Sequence, residues 1–166
     1  MTTVKKTLAV ALAAMLASAT FVPAAQAATA LPETVQEALL DALNDEYHAE
    51  AFYAAVMEKF GATRPFSNII RSEQMHQSWL ADLMTTYGMS VPANAELGSA
   101  EIAAVVPATI SEACAIGVTA EVDNAALYDD ELLPAVAAYP DIAAVFERLS
   151  AASTNQHLPA FQRCAG

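Results

Sequence analysis

Several short patterns place carboxylate and imidazole groups where a helical protein would bury apolar side chains. Glu73-x-x-His76 sets an acid and an imidazole three residues apart, so on a helix both lie on one face about a turn from each other. Glu46 is followed seven residues later by Tyr53, and Glu121 seven residues later by Tyr128. These two Glu-x6-Tyr segments read as an internal repeat, and His157 adds an imidazole near the C-terminal end. Oxygen and imidazole ligands in this mixture suit iron, manganese or zinc. The methionines show no copper-like spacing, and no Cys-x-x-Cys, nucleophile elbow, phosphate loop or dinucleotide fingerprint is present.

The elements that must position these groups are helices. Glycine is scarce, alanine is abundant and β-branched alternation is absent, so the fold class is all-α. Leu31-Pro32-Glu33 opens a first helix, with proline suited to the first turn and an acid at the positive end of the dipole; Gly61 stops it. Its inner stripe, Leu39, Leu43, Glu46, Ala49/Glu50, Tyr53, Val56/Met57 and Phe60, keeps a three-to-four spacing. Pro65 starts a second helix with Ile69, Glu73, His76, Leu80, Leu83 and Tyr87 on one face, ending at Gly88. Thr109-Ile110-Ser111-Glu112 is a capping box for a third, which Pro134 is expected to stop. Pro140-Asp141 opens a fourth that runs past His157. Short links of roughly four to six residues join the first pair and the second pair, with roughly twenty between the pairs. The expectation is a four-helix bundle of two antiparallel hairpins joined by a long crossover between helices 2 and 3.

Composition narrows the setting. Lys5 and Lys6, the uncharged run Leu8 to Val22 and Ala25-Gln26-Ala27 form a secretory signal peptide over residues 1–27, leaving one domain over 28–166. The apolar run is too short for a spanning helix, so no membrane anchor is expected after cleavage, and the location is periplasmic or secreted. The chain carries nineteen acidic residues against seven basic ones, two of the latter in the signal segment. That balance excludes nucleic acid and anionic membrane surfaces as partners and favours metal ions. A homodimer is compatible with it.

The helices and their ligands resemble the ferritin-like superfamily of carboxylate-bridged di-metal proteins. More narrowly, they resemble an exported branch described as a domain of unknown function, and the resemblance runs from about Leu31 to Cys164. It implies that Glu46 and His76 hold one metal, that Glu73 bridges, and that Glu121 and His157 hold a second. Tyr53 and Tyr128 would hydrogen-bond the ligands, and Glu50, one turn from Glu46, either joins them or faces solvent. Where the family places a second bridging glutamate, three residues before His157, this chain has Thr154, with Ser153 and Asn155 beside it. The second half-site is therefore degraded unless another acid such as Glu147 or Asp123 reaches in. Pro159 should kink the helix next to His157, since it cannot donate to the carbonyl of Asn155. The implied cofactor is iron or manganese, one or two ions per chain.

Two cysteines in an oxidising compartment are expected to pair. Cys114 precedes Glu121 by seven residues and Cys164 follows His157 by seven, so antiparallel helices with Glu121 level with His157 bring both to one end of the bundle. Two readings of function follow. One is a di-metal redox protein acting on oxygen, peroxide or ferrous iron. The other is a non-enzymatic metal-binding module, or a metal-free envelope scaffold or partner-binding domain. The aromatic residues, Trp79 included, serve equally as core packing, and His48 reads as a surface residue.

Overall fold

Helix α1 (Glu33–Phe60) starts after Pro32, carries Glu33 in its first turn, and ends where Gly61 takes a positive φ of 82°. That left-handed conformation is nearly free for glycine and lets the Gly61 N–H close on the Met57 carbonyl at 2.9 Å. Helix α2 (Phe66–Thr86) follows within a few residues, and the short link makes the two an antiparallel hairpin. This computed structural model describes residues 30–166. The signal peptide expected over residues 1–27 lies outside the described residues. Among the described residues every regular element is helical, and no helix is long and apolar enough to cross a membrane.

A crossover then runs back along α1. Tyr47 donates to the Pro92 carbonyl at 2.8 Å, Asn94 donates to the Tyr47 carbonyl at 3.0 Å, and Lys59 donates to the Pro107 carbonyl at 2.8 Å. These contacts advance along α1 as the crossover advances, so the second hairpin begins at the end of the bundle where α1 finishes. A short helix α3 (Ala100–Val105), capped by Ser99, lies on this path. Helix α4 (Ile110–Leu127) opens with the expected capping box between Thr109 and Glu112. It continues through a π-helical turn, Tyr128–Leu132, into α5 (Leu133–Ala135). The return arm is α6 (Pro140–Ala152), a π-helical turn Ser153–His157, and α7 (Leu158–Ala165).

Two π turns accompany the two prolines. The helix that Pro134 is expected to stop ends at Ala135, and the irregularity expected beside His157 takes the form of a widened turn before Pro159. Each proline sits just after a widened turn, in which the Leu133 N–H reaches the Tyr128 carbonyl and the Leu158 N–H reaches the Ser153 carbonyl. Reaching back five residues instead of four inserts one residue into the turn. It takes the carbonyl that a proline ring would strike out of its path, so the chain stays helical.

The core is divided in two. One apolar cluster gathers Leu39, Leu43, Leu80, Tyr128, Phe146 and Leu149, and the other Tyr53, Val56, Phe66, Ala113 and Phe161. Each large side chain so buried contributes about 1.5–3 kcal/mol. Between the clusters lies a layer of buried polar groups: Glu46, Glu50, Glu73, His76, Glu121, Asn124, Ser150, Ser153 and His157. The Cys114–Cys164 disulfide joins α4 to α7, with Cα atoms 5.7 Å apart. One turn further along α4, Gly117 lies so close to Phe161 that a Cβ there would sit 2.7 Å from the ring.

Candidate metal centre

The polar layer converges on Glu73. On α2, the one-turn spacing brings Glu73 and His76 to the same inward face, where His76 Nδ1 lies 3.1 Å from Glu73 Oε2 and 3.1 Å from Glu46 Oε2 of α1. The second hairpin supplies His157, whose Nδ1 is 3.3 Å from Glu73 Oε1 and 3.5 Å from Glu121 Oε2. The side chains of Glu46, Glu73, His76, Glu121 and His157 thus form two groups that share Glu73, one with Glu46 and His76 and one with Glu121 and His157. Within each group the candidate ligand atoms lie within 4.8 Å of one another, and every member is buried.

The tyrosines of the repeat cross over. Tyr53 donates to Glu121 Oε1 at 2.9 Å, and Tyr128 lies at hydrogen-bonding range, 3.5 Å, from Glu46 Oε1. Each tyrosine therefore fixes the glutamate of the other hairpin. Burial, with the Glu121 carboxylate behind it, pushes the Tyr53 hydroxyl well above the usual tyrosine range; burial and Glu46 do the same to Tyr128. Both stay protonated as donors.

Three buried carboxylates meet two imidazoles with no Lys or Arg among them. Arg71 binds Asn68 at 3.0 Å and Arg148 lies over the Trp79 ring, so neither reaches the layer. The surplus negative charge favours protonated groups. Burial, aided by the Glu46 carboxylate, pushes Glu73 up to about 8. For His76 burial works against the charged form, yet its hydrogen bonds to Glu46 and Glu73 prevail and raise it to about 10. Protons are held where the site is short of positive charge. A stronger sign is His157, which is 3% exposed and has no hydrogen-bond partner at either ring nitrogen among the described residues. A buried imidazole left so costs stability unless something else takes its lone pair. The donor set, three carboxylates and two imidazoles on a shared bridge, is able to hold a metal ion.

The profile of an uncharacterised protein domain family, DUF2202, matches residues 36–165. The chain belongs to that family. No curated protein and no solved structure gave a match.

Two sequence expectations need correction within this DUF2202 fold. Thr154 is exposed and plays no part in the layer. The widened turn Ser153–His157 carries one extra residue, so the inward neighbour of His157 is Ser153, four residues back instead of three. Glu50 is buried but looks away from the cluster. It accepts hydrogen bonds from Gln74, Gln77 and the crossover residue Asn94 at 2.9–3.1 Å, which leaves it satisfied without a metal. Neither Glu147 nor Asp123 enters either ligand group.

Sequence reasoning missed a chain of polar groups beside the second ligand group. Ser153 donates to Asn124 Oδ1 at 2.7 Å, and the Asn124 amide donates to Asp45. Asn124 follows Glu121 by three residues on the same face, a signal the sequence did offer. Burial raises the Asp45 carboxyl to about 6, against the opposing hydrogen bond from Asn124. A cavity of about 330 Å³ opens here, floored by Glu46, Glu73, Glu121 and Tyr53, with Asn124 and Ser153 beside them.

Proposed function

We propose that this chain is an exported metal-binding protein of the ferritin-like superfamily, in which the shared-Glu73 cluster holds iron or manganese, one or two ions per chain. The observation that carries the reading is Glu73 itself, with one carboxylate oxygen facing His76 and the other facing His157. In this reading Glu73 would serve both positions, with Glu46 and His76 as the other holders of one ion and Glu121 and His157 of the other. When bound, an iron or manganese pair supplies one-electron chemistry toward oxygen, peroxide or ferrous iron. The chain's own part is to orient the ligands. Tyr53 and Tyr128 hold Glu121 and Glu46 in place, as outer hydrogen bonds do for metal ligands generally. The apolar clusters above and below cover the layer on two sides and leave the cavity as its way to solvent, and low-dielectric surroundings strengthen the charge interactions within it. The Lys5-Lys6 and Leu8 to Val22 pattern and the Cys114–Cys164 disulfide support export to the periplasm or beyond.

A second reading, metal binding without turnover, is favoured by Ser153, which occupies the inward position where a fourth carboxylate would complete a symmetric pair. The deciding experiment is metal content per chain after purification without chelator, beside a Glu73→Ala/His76→Ala double variant. Iron or manganese at one or two equivalents, lost in the variant, is the expected result, and oxygen and peroxide consumption by the loaded protein then separates the two readings. No metal in either protein, even after anaerobic loading with ferrous iron, would remove both.

A further inference from the structure

The cavity over the cluster sorts its lining by depth. Its floor is buried and carries the carboxylates of Glu46, Glu73 and Glu121, while its rim is solvent-exposed and includes Asp123, Val105, Ile116 and Ala120, with the half-buried Asp45 between floor and rim. Five carboxylates line this space and no Lys or Arg does, so its field draws in cations and turns anions away. The walls are low-dielectric side chains such as Phe52 and Val105, which focus that field along the opening. At about 330 Å³ the space holds roughly ten waters at about 30 Å³ each. That is room for a divalent ion together with its inner hydration shell. Two of the floor carboxylates, Glu73 and Glu121, belong to the group completed by His157, the buried imidazole whose ring nitrogens make no hydrogen bond among the described residues.

We propose that this cavity between α1 and α4 is the vestibule through which a hydrated divalent cation reaches the buried cluster, with Asp45 and Asp123 as its capture residues. This rests on the metal-binding reading above and adds the route. A cation is drawn to the rim by Asp123 and Asp45. It is passed along the neutral Asn124 and Ser153 oxygens as water is shed, and it is taken up at Glu121 and Glu73. The Glu73–Glu121–His157 group is then the first to fill. The exposed aliphatic residues Val105 and Ile116 narrow the opening without adding charge.

The test is the rate of uptake of ferrous iron by the full metal-free protein under anaerobic conditions. Quenching of Trp79, whose ring lies 5.5 Å from that of His76, reports the rate, and timed desalting with elemental analysis checks it. Asp123→Asn is expected to slow uptake about fivefold at low salt and to flatten its dependence on ionic strength, leaving the final stoichiometry unchanged. Asp45→Asn should add to the effect. Because Asp45 also holds Asn124, Ala120→Trp at the exposed rim provides an independent block by size, with a slowing that salt does not alter. A wild type that loads while Asp123→Asn and Ala120→Trp load at the same rate would overturn the vestibule alone. A wild type that takes up no iron would overturn the metal-binding reading and the vestibule together.

Discussion

His76 and His157 stack across the junction of the two hairpins, with ring centroids 5.8 Å apart and planes inclined by 27°. One comes from each hairpin, and Glu73 touches both. In the metal-binding reading, ion binding would depend on one carboxylate far more than on any other. Glu73→Gln is expected to abolish all bound metal, whereas His157→Ala removes only the ion of its own group. Elemental analysis of the two purified variants checks this, and a Glu73→Gln protein that kept one equivalent would show that the groups do not share a bridge.

Metal-free protein should lose stability as pH rises. The Glu73 carboxyl titrates near 4.5 when unfolded and at about 8 when folded, so the stability tied to its proton is whole below 4.5 and lost as pH climbs through about 8. His76 moves from 6.5 to about 10 and acts with the same sign, its share disappearing between those values. Thermal melts in chelator should fall steadily from pH 6 to pH 9 by several degrees. Glu73→Gln should flatten the lower part of that slope. A melting temperature that rose over this range would contradict the protonated cluster.

Tyr53→Phe keeps the packing against Phe66 and Phe161 but removes the donor to Glu121. The ion held by Glu121 and His157 should bind about 10- to 100-fold more weakly, with the other position little changed. Competition titration against a chelator of known affinity measures both steps.

Gly117→Ala places a methyl group against the Phe161 ring at a distance no real Cβ shows, in a helix pair already tied by the disulfide. The cost should be about 1–3 kcal/mol. For a domain of this size that lowers the melting temperature by roughly 3 to 12 °C. Phe161→Ala removes the ring atoms that clash, so the costs of Gly117→Ala and Phe161→Ala should be less than additive in the double variant.

Reducing the Cys114–Cys164 bridge releases a loop of fifty residues. Its loss should cost about 2–4 kcal/mol, and a Cys114→Ser/Cys164→Ser variant should match the reduced wild type in denaturant.

Helix periodicity and loop length made the two hairpins legible, because each depends only on local spacing and on how far a link can reach. Glu46, Glu73, His76, Glu121 and His157 were legible for a related reason: charge on an otherwise apolar stripe has to meet something. Thr154 was misread because a regular helix was assumed. Once a turn carries an extra residue, counting back three from His157 lands on the outside of the helix. Glu50 was ambiguous because its partners Gln74, Gln77 and Asn94 come from another helix and from the crossover, at separations that periodicity does not register. The cavity was invisible for the same reason, since its walls meet only in the folded chain.

The polar layer between two apolar clusters gives the molecule a soft joint at its waist. Each end keeps its shape by hydrophobic packing, but the middle is held by carboxylates and imidazoles with acids in excess. In the metal-binding reading, an ion seated there would act as a rivet, so that rigidity would follow metal content. Resistance to proteolysis at the centre of the bundle would then read out how much metal the surroundings supply.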